Sequence, residues 1–370
     1  TVVTSVPVGS FVRFRERIVG PNGFSETRWS PVVGPLTAVS VPAPAPTPVP
    51  APVPVPSPTP AGFVTKQGTQ MQLDGKLYRP VGFSDTSMLG HDGSPPTDTQ
   101  IDEFFSKLKP GTLIRVWFMQ GMDMNRLGTM IRLAEKYGIK LMVTLGDSAG
   151  NPGSPNYDAA FFSGGFRGAF HTHVRSTVTM FANRPGVGIW QTMNETGLRG
   201  GPTTATAALF EGETAALIKS ISPQNLVFAG IQDTYAGWSD SDAELRQILN
   251  HPAIDGYDFH SYEYHDVGNT GVPGRFPGDK AVCDSLGKII ILGEWAVGSK
   301  NVAVTPEQRA SRIQQQLPVH KGMGAQASLY WRLIRPGQYA DTGAVTGPAA
   351  REPWYGPVFN TLVQLSNALY

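Results

Sequence analysis

From Pro42 to Pro60 every second residue of this 370-residue chain is proline. Each proline lacks a backbone N–H and has a fixed φ, and each residue before a proline is pushed to an extended conformation. Such a run supports neither helix nor sheet, so a polyproline-II spacer is expected over 41–61. At ~3.1 Å per residue, its 20 or so positions span roughly 60 Å. The run excludes one compact domain from end to end and divides the chain into 1–40, the spacer and 62–370.

The flanking parts can build cores, since 40% of residues are hydrophobic and 16% are charged. Apolar runs stay short of the ~18 residues a membrane-crossing helix needs. Residues 1–40 carry four Arg and two Glu, and the remainder carries 26 basic and 27 acidic groups. Neither part is a polyanion-binding surface, so neither nucleic acid nor membrane is expected as a partner, and a monomer is expected. A single cysteine, Cys283, excludes an intramolecular disulfide framework and a Cys-rich zinc site, and is expected to be a small buried hydrophobe. The histidine pairs His171/His173 and His260/His265 lack a convincing third ligand. No metal or cofactor is expected.

Val12, Phe14, Glu16 and Ile18 against Arg13, Arg15 and Arg17 give the period of a half-buried strand. Pro21-Asn22-Gly23 reads as a turn, and a second short strand ends at Trp29. The stretch VRFRERIVGPNGFSETRWSPVVGPLTA resembles the last strands of a fibronectin type III domain, so a truncated module is expected over 1–40. The plainer alternative is an unstructured or docked arm.

Residues 62–370 alternate apolar runs of strand length with helical patterns. The strands are expected at 78–84, 112–118, 139–146, 187–193, 226–229, 254–260, 288–293 and 325–331. Helical stretches lie near 98–109, 125–137, 166–182, 204–220, 241–250, 276–286, 306–317 and 357–368. This alternation predicts an α/β fold, a (β/α)8 TIM barrel. A doubly wound sheet would want a glycine-rich phosphate turn, and none is present. Barrel sites form at the C-terminal ends of strands. Those ends carry Ser84 and Asp85, Arg115 and Trp117, Asp147, Asn194 and Glu195, Gln232 and Asp233, His260 and Tyr262, Glu294 and Trp295, and Trp331. Such polar and aromatic enrichment favours a site for a polar ligand. Glu195 and Glu294 follow the fourth and seventh strands, and opposed carboxylates are what glycoside hydrolysis needs. Each glutamate alone has a dull alternative, capping the next helix. Asp147 is open between touching a sugar hydroxyl and capping a turn with Ser148. Trp117, Tyr235, Trp238, Tyr262, Tyr264, Trp295, Trp331 and Trp354 supply flat faces suited to sugar C–H surfaces. Trp190, mid-strand, is expected in the core.

The motifs GIWQTMNE, YDFHSYEYH, IIILGEW and ASLYW resemble successive strand ends of the retaining (β/α)8 glycoside hydrolases. FVTKQGTQMQLDGKLYRPVGFS and LIRVWF resemble the first two strands of glycoside hydrolase family 5, especially its β-mannanase branch. The resemblance covers most of 63–335. It implies that Glu195 is the general acid/base, Glu294 the nucleophile, and Asn194 the partner of the sugar 2-hydroxyl. Arg115 and Tyr262 would surround Glu294, His260 would lie near Glu195, and Trp331 would floor the cleavage point. Trp117, Asp147 and Trp295 complete the expected substrate contacts. The implied activity is that of a secreted, retaining endo-β-glycosidase on β-mannan or β-glucan. Alternatives are another specificity on the same machinery (arabinofuranosidase-type, exo-acting or transglycosylase) and a non-catalytic carbohydrate-binding barrel.

Overall fold

In the computed structural model the described residues are 11, 13, 15–19, 25–34, 61–90, 94–148, 157–197, 201–231, 241–261, 274–297, 304–335 and 352–366. The chain forms two units, Thr1–Ser57 and Pro58–Tyr370. In the first, strands β1 (Arg15–Val19) and β2 (Ser25–Trp29) pair antiparallel, with Arg15 facing Trp29 across the ribbon. The Arg15 guanidinium lies 5.7 Å from the Trp29 ring centre. The expected turn at 21–23 and the proline spacer lie outside the described residues.

The second unit begins with three short antiparallel strands, β3 (Val64–Gln67), β4 (Gln70–Leu73) and β5 (Lys76–Leu77). The Asp74-Gly75 corner has φ of 52° and 73°, the left-handed pair that a tight hairpin turn demands. Eight parallel strands follow: β6 (Val81–Asp85), β7 (Leu113–Trp117), β8 (Lys140–Thr144), β9 (Val187–Gln191), β10 (Leu226–Ala229), β11 (Gly256–Ser261), β12 (Ile289–Trp295) and β13 (Ser328–Ile334). Each pairs with the next, and β13 pairs back onto β6, closing the barrel. Helices α1 (Asp98–Ser106), α2 (Met124–Tyr137), α3 (Ala159–Phe162), α4 (Ala169–Met180), α5 (Thr204–Ile221), α6 (Asp242–Leu249), α7 (Phe276–Leu286), α8 (Pro306–Gly322) and α9 (Pro357–Leu365) connect the strands or follow the last of them. A short strand, β14 (Glu352–Pro353), pairs with the end of β13. The expected barrel is therefore the observed one. Thr97, Thr203 and Thr305 open α1, α5 and α8 with reciprocal capping boxes, and left-handed Gly138 and Gly287 close α2 and α7.

Two barrel strands start three residues later than expected. The first barrel strand starts at Val81, because Pro80 has no N–H to give a ladder and Tyr78 instead donates its hydroxyl to Gly111 O at 2.8 Å. The last strand runs from Ser328 to Ile334, so Trp331 sits within it. No helix among the described residues is long and apolar enough to cross a membrane.

The barrel interior is layered. Its lower part is apolar: Leu113, Met142, Ile189, Phe228, Ile291 and Leu329 pack together, and Val64, Met71 and Tyr78 join them from below. A second, larger apolar layer lies between strands and helices and includes Trp190 and Cys283, both fully buried as expected. Strand β6 contributes no side chain at Gly82, where a Cβ would sit 1.8 Å from Leu113 O and 2.9 Å from Leu329 Cδ2. Gly82→Ala is therefore expected to lower the free energy of unfolding by ~3 kcal/mol or more. Gly322→Ala, with open space around its Cβ, should leave stability unchanged or raise it by up to ~1 kcal/mol. Urea unfolding of the two variants checks the contrast.

Candidate active site

Above the apolar floor the inward-facing positions turn polar. Arg115 is the second-layer residue of β7, fully buried. Its Nε donates to Gln191 Oε1 at 2.8 Å, Nη2 to Asn194 Oδ1 at 2.6 Å, and Nη1 to Glu294 Oε1. The guanidinium also lies 4.3 Å from the ring centre of Trp117, two residues on and hence on the same face of the strand. Trp117 meets Trp331 edge to face at 5.5 Å.

The two glutamates reach this cluster by local departures from strand geometry. Neighbouring residues of a regular strand point to opposite faces. Glu195 adopts a φ of 47°, uncommon outside glycine. That bend lets Asn194 and Glu195 both face the same centre, and it is held by Asn194 N donating to Gly146 O and Thr196 N to Gly230 O, each at 2.8 Å. On β12 the register slips by one residue: Phe259 pairs with Leu292, but His260 pairs with Glu294. The extra residue, Gly293, makes a bulge that turns Glu294 inward. A side chain there would collide with Asp258, since a Cβ would lie 1.4 Å from Asp258 Oδ1.

His260 joins the carboxylates. Its Nδ1 stands 3.1 Å from Glu195 Oε1 and 3.6 Å from Glu294 Oε2, and its Nε2 stands 3.2 Å from Asp258 Oδ2. Burial alone would lower its pKa, but Glu294 and Asp258, with hydrogen bonds to Asp258 and Glu195, outweigh that and push it up to about 10. Asp258 also accepts Gln191 Nε2 at 2.6 Å. Burial pulls its carboxyl upward, yet Arg115 and His260 hold it below the usual range. Glu195, His260 and Glu294 each offer an atom such that all lie within 4.8 Å of one another, close enough to share a cation.

Arg115, Trp117, Asn194, Glu195, His260, Glu294 and the half-buried Trp331 converge on this centre. Asp147 does not reach the surface of the site; it is fully buried and accepts Asn194 Nδ2 at 2.9 Å, so it fixes the amide from behind. Trp295 is corrected outright. Following inward Glu294, it points outward, fully buried, edge-on to Tyr330 at 5.3 Å and to His320 of α8 at 4.5 Å. Trp354 is likewise no platform: it stacks on Phe104 at 4.1 Å and donates Nε1 to Asp85 Oδ2 at 2.7 Å. Tyr262, Tyr235, Trp238 and Tyr264 lie outside the described residues. Asp258 and Gln191 belong to the cluster although neither ends an expected strand. Their signal was a polar residue inside an otherwise apolar parallel strand, for Asp258 two positions before His260.

The raised His260 value has a pH consequence. Its folded value of about 10 exceeds the ordinary 6.5. The stabilisation is therefore whole below the unfolded value and is lost as pH rises toward the folded one. The melting-temperature gap between the protein and His260→Gln should shrink between about pH 6 and about pH 10. A gap independent of pH contradicts the charged ring.

Residues 113–331 match the cellulase family, glycosyl hydrolase family 5. Mannan endo-1,4-beta-mannosidase F of Aspergillus fumigatus is 23% identical over 299 residues, covering 75% of this chain and 62% of its own length. A probable mannan endo-1,4-beta-mannosidase A of Aspergillus clavatus is 26% identical over 329 residues, covering 79% of this chain and 84% of its own. The chain spans about three fifths of the length of the first three such relatives, 62%, 61% and 61%. Among solved structures, the endo-1,4-beta-mannanase of Rhizomucor miehei superposes with a TM-score of 0.62 at 19% identity, covering 83% of this chain and 99% of that one. An endoglucanase of Pseudomonas stutzeri reaches 0.53 at 16% identity, over 79% and 94%. These likenesses in structure speak for the fold, and the family match, spanning more than half of the chain and containing both glutamates, places this protein in glycosyl hydrolase family 5.

Proposed function

We propose that the chain is a retaining endo-β-1,4-mannanase that cleaves its polysaccharide by double displacement. The observation that carries this reading is the pairing of Glu195 and Glu294, with a ligand oxygen of each within 4.8 Å of the other. Retaining glycosidases hold their carboxyl groups ~5–5.5 Å apart, and inverting ones ~6.5–9.5 Å apart to admit a water. Arg115 distinguishes the two roles. It bonds Glu294 directly, stabilising negative charge on the group that must attack. Glu294 then bonds the anomeric carbon while Glu195 passes a proton to the departing sugar oxygen. A water, giving its proton back to Glu195, next displaces Glu294 and releases the sugar with its β-configuration.

The surrounding groups suit these steps. The Asn194 amide is oriented at both ends, by Arg115 on Oδ1 and Asp147 on Nδ2, and has an N–H left for the sugar 2-hydroxyl. Two buried cations, Arg115 and His260, balance the buried carboxylates of Asp258 and Glu294. Trp331, braced by Trp117, offers a ring face at the cleavage point. Mannan is favoured over glucan because the sequence relatives named above are mannosidases. The proline spacer suits a secreted enzyme.

Glu294→Gln should lower kcat on linear β-mannan by ~10³-fold or more. Its Kd for a mannohexaose, by calorimetry, should stay within about threefold, since shape and hydrogen-bonding reach are kept. Near-normal turnover by this variant removes Glu294 from the nucleophile's role.

A further inference from the structure

Behind the acid/base loop lies a carboxylate that the mechanism above does not use. Glu211 projects from α5 and is fully buried. Thr192 donates its hydroxyl to Glu211 Oε2, and Thr196 donates its own to Oε1 at 2.7 Å. The two threonines stand on either side of Met193, Asn194 and Glu195. One carboxylate therefore grips both ends of the short segment in which the chain leaves β9 and bends into the left-handed conformation at Glu195. Backbone bonds reinforce the same segment: Thr192 N to Phe228 O at 3.1 Å and Thr196 N to Gly230 O at 2.8 Å.

A buried carboxylate is a costly way to hold a loop. Burial pushes Glu211 up to about 7, against the opposing hydrogen bonds from Thr192, Thr196 and the Gly230 amide. An apolar residue would fill the same space without that cost, but it would take away the acceptor of the Thr196 hydroxyl and leave Thr192 only its longer bond to Phe228 O at 3.3 Å, so that backbone bonds alone would hold the left-handed bend. Glu195 sits at 7% exposure, so a small swing of the bend moves its carboxyl relative to His260 and to any bound leaving oxygen.

We propose that Glu211 is a positioning residue for the acid/base. By taking a threonine hydroxyl on each carboxylate oxygen it clamps the 192–196 turn and sets where Glu195 points. The inference rests on the assignment of Glu195 above, and its test separates the two.

Proton delivery matters only where the leaving group needs a proton. A sugar hydroxylate leaving from mannan needs one, whereas a dinitrophenolate does not. kcat/KM is compared on linear β-mannan and on dinitrophenyl β-mannobioside for Glu211→Gln and Thr196→Val, with Glu195→Gln as reference. The reference should lose ~10³-fold on mannan and less than about tenfold on the aryl glycoside. Glu211→Gln should show the same asymmetry in smaller measure, ~10-fold or more on mannan and under about threefold on the aryl substrate. A variant that merely destabilised the barrel would lose both alike, and that result, or no loss on either, overturns the inference. If Glu195→Gln itself loses both substrates equally, the acid/base assignment falls and this proposal with it. Should Glu211→Gln fail to fold, Thr196→Val removes one hydroxyl at nearly unchanged shape and carries the same comparison.

Discussion

The upper half of this barrel is organised around one buried guanidinium. Taking a charge out of water costs several kcal/mol unless it is paired and hydrogen-bonded. Arg115 meets that demand through Gln191, Asn194 and Glu294, with Asp258 3.4 Å from its Nε. These partners stand on β9, just past its end, on β12 and on β11. The arginine thus joins β7 to three other sectors of the barrel. Each carboxylate and amide near it is held where the guanidinium can be satisfied, and the positions of the catalytic candidates follow from that requirement.

The same barrel keeps charge and core apart by height. Leu113 and Arg115 are two residues apart on one strand and face the same way, yet one belongs to the apolar floor and the other to the charged centre. The change occurs within about 7 Å of strand. Glycine makes the tight places possible: Gly82 lets β6 approach β7, and Gly293 leaves the space that Asp258 fills. The bulge at Gly293 and the left-handed Glu195 each present a glutamate, and further register shifts lie between Leu141 and Met142 and between Tyr330 and Leu333. Irregular backbone here coincides with the residues proposed to do the chemistry.

Much of this was legible in the sequence because parallel strands buried on both faces leave apolar runs, and such runs as 289–292 stand out between helical periods. The glutamates were legible because each terminates one of these runs. What escaped had physical reasons. The antiparallel strands at 64–77 are too short and too polar on one face to show a clear period, although Asp74-Gly75 was a turn signal. Trp295 is aromatic and stands at a strand end, but alternation from Glu294 sends it to the helix layer. Trp354 and Asp85 find each other across 269 residues, a pairing no local pattern encodes. Glu211 lies in a helix, where a glutamate ordinarily signals solvent, and only the packed structure shows it facing Thr192 and Thr196.

In the proposed double displacement, Glu195 and Glu294 are held by the Arg115 and His260 cations. The most direct test is the anomeric configuration of the first sugar released. Proton NMR of β-mannan during the first minutes of digestion, before mutarotation, should show the new reducing ends as the β-anomer. New reducing ends that appear first as the α-anomer contradict the account, because a single displacement by water would then be the reaction and the close pairing of the two glutamates would serve some other purpose.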